Sequence, residues 1–364
     1  MDVKQKKGFM NTNHNSQLIG IKYPIKCIVW DLDNTLWNGV LLEDNTVSLK
    51  TGVLKIIQKL DLRGILHSIA SKNDHRSVML KLADLKIDSF FLYPEITWNA
   101  KSHSLHCIQN HLNISMKSIL FIDDQVYEIE EVRSVHPDIN YLHASHYSIL
   151  LDHPQLKPRF ITKDSPRRRE FYKIDQLRKE SEKKYVGSTE SFLASLKMKM
   201  SIDEAVDSDL KRAEELAIRT HQLNATGRTF SYAELDKFRR SNHHKLLICD
   251  AQDKFGDYGK IGLTLLEIDS DQWNIRLLLM SCRVISRGMG SILLNYLVQQ
   301  AFMQKKKLLA DFKDTGYNKM MFLAYRFSGF KIYDCNDEGE YIFHHDYKKI
   351  NKLPDYVKIN ASQW

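Results

Sequence analysis

From residue 26 onward, short, mostly apolar runs alternate with helix-length segments. The runs at 27–30, 65–70, 90–93 and 118–122 show no polar alternation, the pattern of strands buried on both faces of a sheet. The stretches at 53–62 and 77–85 between them read as helices. Strands separated by helices predict a doubly wound α/β domain with a parallel sheet, whose ligands sit at the carboxyl ends of the strands. Three of the four runs end in polar residues, Asp31, Ser71 and Asp123, so a site is expected there.

The pattern changes at 156–195, which is dense in charge. Ser165 and Pro166 form a helix-start pair ahead of a charged amphipathic stretch, predicting a helical linker. After Met200 an acidic helical stretch at 207–220 leads into the loop-rich patch HQLNATGRTFS at 221–231. Strand-like runs follow at 245–249, 259–267 and 273–281, then a Gly-containing turn at 283–290, a helix at 291–304, a strand at 308–312 and a helix at 318–328. Consecutive strands followed by helices predict an α+β domain. The expected division is a flexible tail at 1–23, a first domain at 24–155, a linker at 156–195, a second domain at 196–352 and a tail at 353–364.

Length supports two domains: 364 residues exceed what one core usually spans. The 43% hydrophobic and 27% charged content lets the chain bury real cores and excludes collagen-like or disordered classes. The lysines near the start are followed by no apolar core, and no run approaches the ~20 apolar residues of a membrane span. Five cysteines without CxxC spacing argue against a disulfide framework or a zinc site. A cytoplasmic protein is the expectation. The net charge of +8 points to an acidic partner or an anionic substrate; without a basic stripe interleaved with aromatics, nucleic acid is not the expected partner.

The sharpest chemical signal is DLDNTLW at 31–37. Residues two apart on a strand face opposite ways, so Asp31 and Asp33 converge only if the chain leaves strand geometry after Asp31. Downstream come Ser71 in SIASKND, Lys101 in WNAKS and the pair Asp123–Asp124 in FIDD. Taken singly, Ser71 also reads as a helix N-cap and Lys101 as a solvated helix residue. The ordered set resembles the haloacid dehalogenase (HAD) superfamily over about residues 24–150. That resemblance implies magnesium-dependent phosphoryl transfer. Asp31 is then the nucleophile, and Asp33 protonates the leaving group and later activates water. Thr35, Ser71 and Lys101 hold phosphoryl oxygens. Asp31, the Asp33 carbonyl and Asp123 hold Mg²⁺, and Asp124 supports the metal or holds Lys101. The short spacings leave no room for a large cap, so an open mouth is expected.

In the second half, NKMMFLAYRFSGFKIY at 318–333 resembles the last helix of GCN5-related N-acetyltransferase (GNAT) domains, and ISRGMGSILL at 285–294 resembles their pyrophosphate-binding turn. Ile285 stands where Gln or Arg is usual, flanked by Arg283 and Arg287. VWDLDNTLWNGVLLED, FIDD, FGDYGKIG at 255–262 and LLMSCRVISRG at 278–288 together resemble the FkbH-like family over about 24–350. This implies loading of a glyceryl unit from 1,3-bisphosphoglycerate onto an acyl carrier protein for polyketide-type pathways. It gives Cys282 the role of acyl-carrying thiol, with Arg283, Arg287 and the helix start at Gly290 lowering its pKa. His221 and Asp257 are candidates for thiol activation or substrate binding. Two departures stand out: Gln125–Val126 replaces an Asn-Pro pair, and His221 stands where Asn is expected. Two alternatives remain: a stand-alone phosphatase whose second domain shapes specificity, and a docking module in which Cys282 is dispensable. The positive helix at 163–184, with Arg167, Arg168 and Arg169, is the expected dock for the carrier protein.

Overall fold

A computed structural model describes residues 18–44 and 46–362, divided into two compact units, Met1–Lys173 and Ile174–Trp364. Residues 1–17 of the expected N-terminal tail, and 363–364 of the expected C-terminal tail, lie outside the described residues.

The first unit runs β1 (Ile19–Gly20), β2 (Cys27–Trp30), β3 (Trp37–Asn38), β4 (Ser48–Leu49), α1 (Val53–Leu62), β5 (Leu66–Ser71), α2 (His75–Asp84), β6 (Glu95–Ile96), α3 (Lys101–Leu112), β7 (Ile119–Asp123), α4 (Val126–Val135) and β8 (Asn140–His143). Its sheet has the order β1-β8-β7-β2-β5-β6, parallel except for β1 at the edge, as the alternation of strands and helices predicts. Alternate residues of β2 enter opposite apolar layers: Ile28 and Trp30 pack with Ile69 and Ile122, whereas Cys27 and Val29 pack with Ala70 and Phe121. A strand sandwiched in this way has no polar face, which is why it reads as an unbroken apolar run.

The apolar run at 90–93 is not the strand it was expected to be. Asp88–Phe90 is a 3₁₀ turn, Phe91 makes a single bridge to His67, and Tyr93 takes a left-handed φ of 49° that ends any extended path. The strand is β6, two residues further on. Ser165 is not a helix cap either: its hydroxyl accepts from the Thr162 N–H at 3.0 Å, and α5 (Arg168–Lys184) starts three residues later. The boundary between the two units falls inside α5.

The second unit continues with α6 (Thr189–Ser195), β9 (Met198–Glu204), α7 (Leu210–Arg219), α8 (Tyr232–Arg239), β10 (His244–Asp253), β11 (Gly256–Ile268), β12 (Gln272–Met280), α9 (Met289–Met303), β13 (Lys307–Lys313), α10 (Lys319–Phe327), β14 (Phe330–Cys335), β15 (Glu340–His345) and β16 (Val357–Ala361). Eight strands form one sheet in the order β14-β15-β13-β12-β11-β10-β9-β16, the α+β arrangement expected. The stretch expected as a C-terminal tail contributes β16, which pairs parallel to β9. Strands β12 and β13 pair only between Gln272–Ile275 and Lys307–Ala310. Beyond that the chain's own 223–225 segment supplies their partners: Met280 N–H donates to the Leu223 carbonyl at 2.9 Å, Ala225 N–H to Leu278 at 2.9 Å, and Lys313 N–H to Ala225 at 3.0 Å. Among the described residues no helix is long and apolar enough to cross a membrane.

Candidate active site

Strand β2 lies between β7 and β5, and Trp30 is in register with Ile122 on one side and Ile69 on the other. The residue that follows β2 is Asp31, beside Asp123 at the end of β7, and its N–H donates to the Ile122 carbonyl at 2.9 Å. The chain then leaves strand geometry as the Asp31/Asp33 spacing requires. The Leu32 carbonyl accepts the N–H groups of Thr35, Leu36 and Trp37, and Asn34 turns left-handed at φ 52°.

The neighbouring carboxyl ends of β2 and β7 bring three of the carboxylates together. Oxygens of Asp31, Asp123 and Asp124 lie within 4.8 Å of one another. Lys101, the first residue of α3, extends a buried side chain to this cluster, with Nζ 2.5 Å from Asp31 Oδ1 and 2.6 Å from Asp123 Oδ2. Burial, with the charge of Asp31 second, pushes the Asp123 carboxyl up to about 7. Burial likewise raises Asp31 although Lys101 opposes it. For Lys101 burial favours the neutral form, but Asp31 and Asp123 outweigh it and hold the ammonium charged. With two carboxyls pressed together out of water on one ammonium, a further cation beside them would favour the ionised form of both. An all-oxygen donor set of this kind fits Mg²⁺.

Asp33 is oriented by three donors. Trp37 Nε1 at 2.8 Å and Leu41 N–H at 3.0 Å reach its Oδ1, and Asn73 Nδ2 at 2.9 Å reaches its Oδ2. Asn73 is a buried residue that the sequence reading passed over; its one legible trace is its place two residues after Ser71. Thr35, expected to hold phosphate, is fully buried with Oγ1 3.3 Å from Asp124 Oδ1. Asp124 thus receives Thr35, while Lys101 goes to Asp31 and Asp123. The Asp124 carbonyl accepts from His143 Nε2 at 2.8 Å, and Gln125 N–H donates to Asp123 Oδ1 at 2.8 Å. Ser71 is buried at the carboxyl end of β5.

Of the second-unit candidates, Cys282, Arg283 and Arg287 directly follow β12. Cys282 is half-buried and opens a 3₁₀ turn, Cys282–Arg287, capped by Ser281, whose Oγ accepts from Arg283 Nε at 3.3 Å. Arg287 is fully buried, with Nη1 2.9 Å from Glu182 Oε2 and its guanidinium over the Phe192 ring. Asp257 Oδ1 accepts the Gly259 N–H at 2.7 Å, and His221 is exposed ahead of the 223–225 segment. Among the other cysteines, Cys27 and Cys249 are core residues whose thiols burial pushes far up.

The expected dock at the start of α5 is tied into the first unit. Arg168 Nη1 donates to the Gly64 carbonyl at 2.7 Å, and Arg169 makes a two-pronged pair with Asp61 at 2.8 and 3.1 Å. Arg167 pairs with Glu170 at 3.5 Å.

No family model and no curated protein matches this chain. Among solved structures, the N-terminal part of a Bacteroides fragilis protein, containing a phosphatase domain complexed with Mg, is 26% identical over 32% of this chain, with a TM-score of 0.28. The match spans 35% of that structure's length. Ard1 from Thermoplasma volcanium is 15% identical over 40% of this chain and 96% of its own, with a TM-score of 0.32. A spermidine N-acetyltransferase chimera from Vibrio cholerae is 15% identical over 40% of this chain and 94% of its own, with a TM-score of 0.31.

Proposed function

We propose that the chain is a bifunctional enzyme, a magnesium-dependent phosphatase unit joined to an acyl-transferring unit. It loads the glyceryl group of 1,3-bisphosphoglycerate onto the thiol of an acyl carrier protein. The observation that carries the phosphatase half of this reading is Lys101 held between Asp31 and Asp123, with Asp124 within reach and Asp33 locked by three donors. Asp31, Asp123 and Asp124 would hold Mg²⁺, which when bound offsets charge on the phosphoryl oxygens.

The residues then divide the work. Asp31 attacks phosphorus, and the bond to the leaving oxygen breaks as Asp33 delivers a proton to it. Asp33 next takes a proton from water, whose oxygen displaces Asp31 and releases inorganic phosphate. Lys101 offsets negative charge at the reacting centre throughout. In the second unit the Cys282 thiolate attacks the acyl-phosphate carbonyl, phosphate departs, and the carrier thiol displaces Cys282 by thioester exchange. The placement of Cys282 in a half-buried turn just past β12 supports this role.

The test is intact-protein mass spectrometry after incubation with Mg²⁺, 1,3-bisphosphoglycerate and a holo carrier protein. A glyceryl-sized gain on the carrier is expected with the wild type and not with Cys282→Ser. Asp31→Asn should leave a phosphorylated three-carbon adduct. Phosphate release without acylation of any carrier, unchanged in Cys282→Ser, would overturn the loading reading and leave a stand-alone phosphatase.

A further inference from the structure

Helix α10 turns two different faces to its surroundings. Met321 and Tyr325 point into the core, where the Tyr325 ring packs against Phe330 and Phe343. On the outer face Met320, Leu323 and Phe327 are 52%, 49% and 79% exposed. Their spacing of three and four residues aligns them in one stripe along the helix. Two cations share that face, Lys319 and Arg326, both exposed and neither in an ion pair among the described residues. Between residues 315 and 333 there is no Asp or Glu to balance them.

An apolar stripe flanked by unpaired cations is complementary to a partner helix that offers apolar side chains among carboxylates. A second copy of this chain fits poorly. A two-fold contact on this stripe would bring Lys319 and Arg326 of both copies together, between molecules each carrying a net charge of +8. The helix also starts against the 224–225 segment, which lies between it and the strand that leads to Cys282. Asn318 Nδ2 donates to the carbonyls of Asn224, Ala225 and Lys313 at 2.9, 3.2 and 2.9 Å. The 223–225 segment is in turn hydrogen-bonded to Leu278 and Met280, two residues short of Cys282.

We infer that the outer face of α10 docks an acidic carrier protein, with Met320, Leu323 and Phe327 as the apolar anchor and Lys319 and Arg326 as the charged rim. This deepens the loading reading and rests on it. It moves the dock away from Arg167–Arg169, where Arg168 and Arg169 serve the first unit internally.

The test uses the full chain and a purified, fluorescently labelled acidic holo acyl carrier protein, with binding followed by anisotropy. Leu323→Glu with Phe327→Glu should weaken binding about tenfold or more at both about 0.05 M and about 0.5 M salt. Lys319→Glu with Arg326→Glu should weaken it about tenfold at the lower salt and much less at the higher. All four residues are exposed, and circular dichroism checks that the variants fold. If the wild type binds the carrier and both variants bind it equally well, the α10 dock is overturned and the loading reading stands. If the wild type binds no carrier, both fall. If the variants lose self-association or binding to anionic lipid vesicles instead of carrier binding, the face belongs to another occupant and the inference is overturned.

Discussion

Lys101 Nζ stands 2.6 Å from Asp123 Oδ2 with both side chains almost wholly out of water. The same nitrogen is 2.5 Å from Asp31 Oδ1, so one ammonium serves two carboxylates that the fold presses together. Lys101→Met should leave two buried carboxylates without their cation and lower the stability of the first unit by about 3–5 kcal/mol. Urea midpoints measured with and without Mg²⁺ check this. Magnesium should recover part of the loss in the variant, because a bound cation stabilises only the folded state.

Asn73 touches no reacting atom in the proposed chemistry but fixes the Asp33 carboxylate through Oδ2. Asn73→Ala leaves Asp33 with donors on Oδ1 alone and lets the carboxyl swing. Phosphate release should fall about 10²-fold in kcat with KM nearly unchanged. Asn73→Gln should restore only part of the rate, since its amide sits one carbon further out. Steady-state kinetics on a small phosphate ester read both values.

His67 sets a pH limit on the first unit. Its Nδ1 accepts from Trp30 Nε1 at 3.1 Å and its Nε2 donates to the Ile57 carbonyl at 3.2 Å, so the ring is neutral with the proton on Nε2. Burial, reinforced by the nearby Arg169 charge, pushes its pKa from 6.5 down to about 3. The unfolded chain therefore binds a proton below pH 6.5 that the folded chain refuses. The contribution of this histidine is complete above 6.5 and shrinks as the pH falls toward 3, by up to about 1.4 kcal/mol per pH unit. His67→Gln keeps an acceptor for Trp30 and a donor for Ile57 but does not titrate. The stability gap between wild type and variant, from urea midpoints at stepped pH, should move in favour of the variant as the pH is lowered.

Arg178 and Asp253 form the corresponding buried pair of the second unit. Nε and Nη2 meet the carboxylate at 2.7 and 2.9 Å, Tyr258 donates to Asp253 Oδ2 at 2.8 Å, and both paired side chains are at most 1% exposed. Burial alone would raise the Asp253 carboxyl, yet Arg178 holds it below its ordinary value. Arg178→Met should cost about 3–5 kcal/mol by stranding that carboxylate. Combining it with Asp253→Leu should cost less than the sum of the single changes, with a coupling of about 1–3 kcal/mol in a double-mutant cycle.

The local pattern of the chain determined much of this protein. Cys27–Trp30 and Val53–Leu62 coincide with their observed elements, because strands covered on both faces and helices with one apolar side write their burial directly into residue type. The candidate residues Asp31, Asp33, Ser71, Lys101, Asp123 and Asp124 stand out as an ordered set because each sits at or just beyond an element end. Other features became definite only in three dimensions. Val357–Ala361 alternates polar and apolar residues at the end of a charged stretch, and it is a strand only because β9 offers it an edge. The run at 90–93 is apolar enough for a strand, yet the left-handed turn at Tyr93 diverts it. Arg169 reads as a free surface cation until the fold brings it Asp61, 108 residues away. Arg287 likewise reads as a free cation beside Cys282 until it is buried against Glu182, 105 residues away. The run at 90–93 is diverted by its own backbone, but one reason is common to β16 and the two arginines. Residue type encodes whether a side chain will be buried, whereas the partner of a buried charge and the neighbour of an edge strand lie far along the chain, and only tertiary folding brings them into reach.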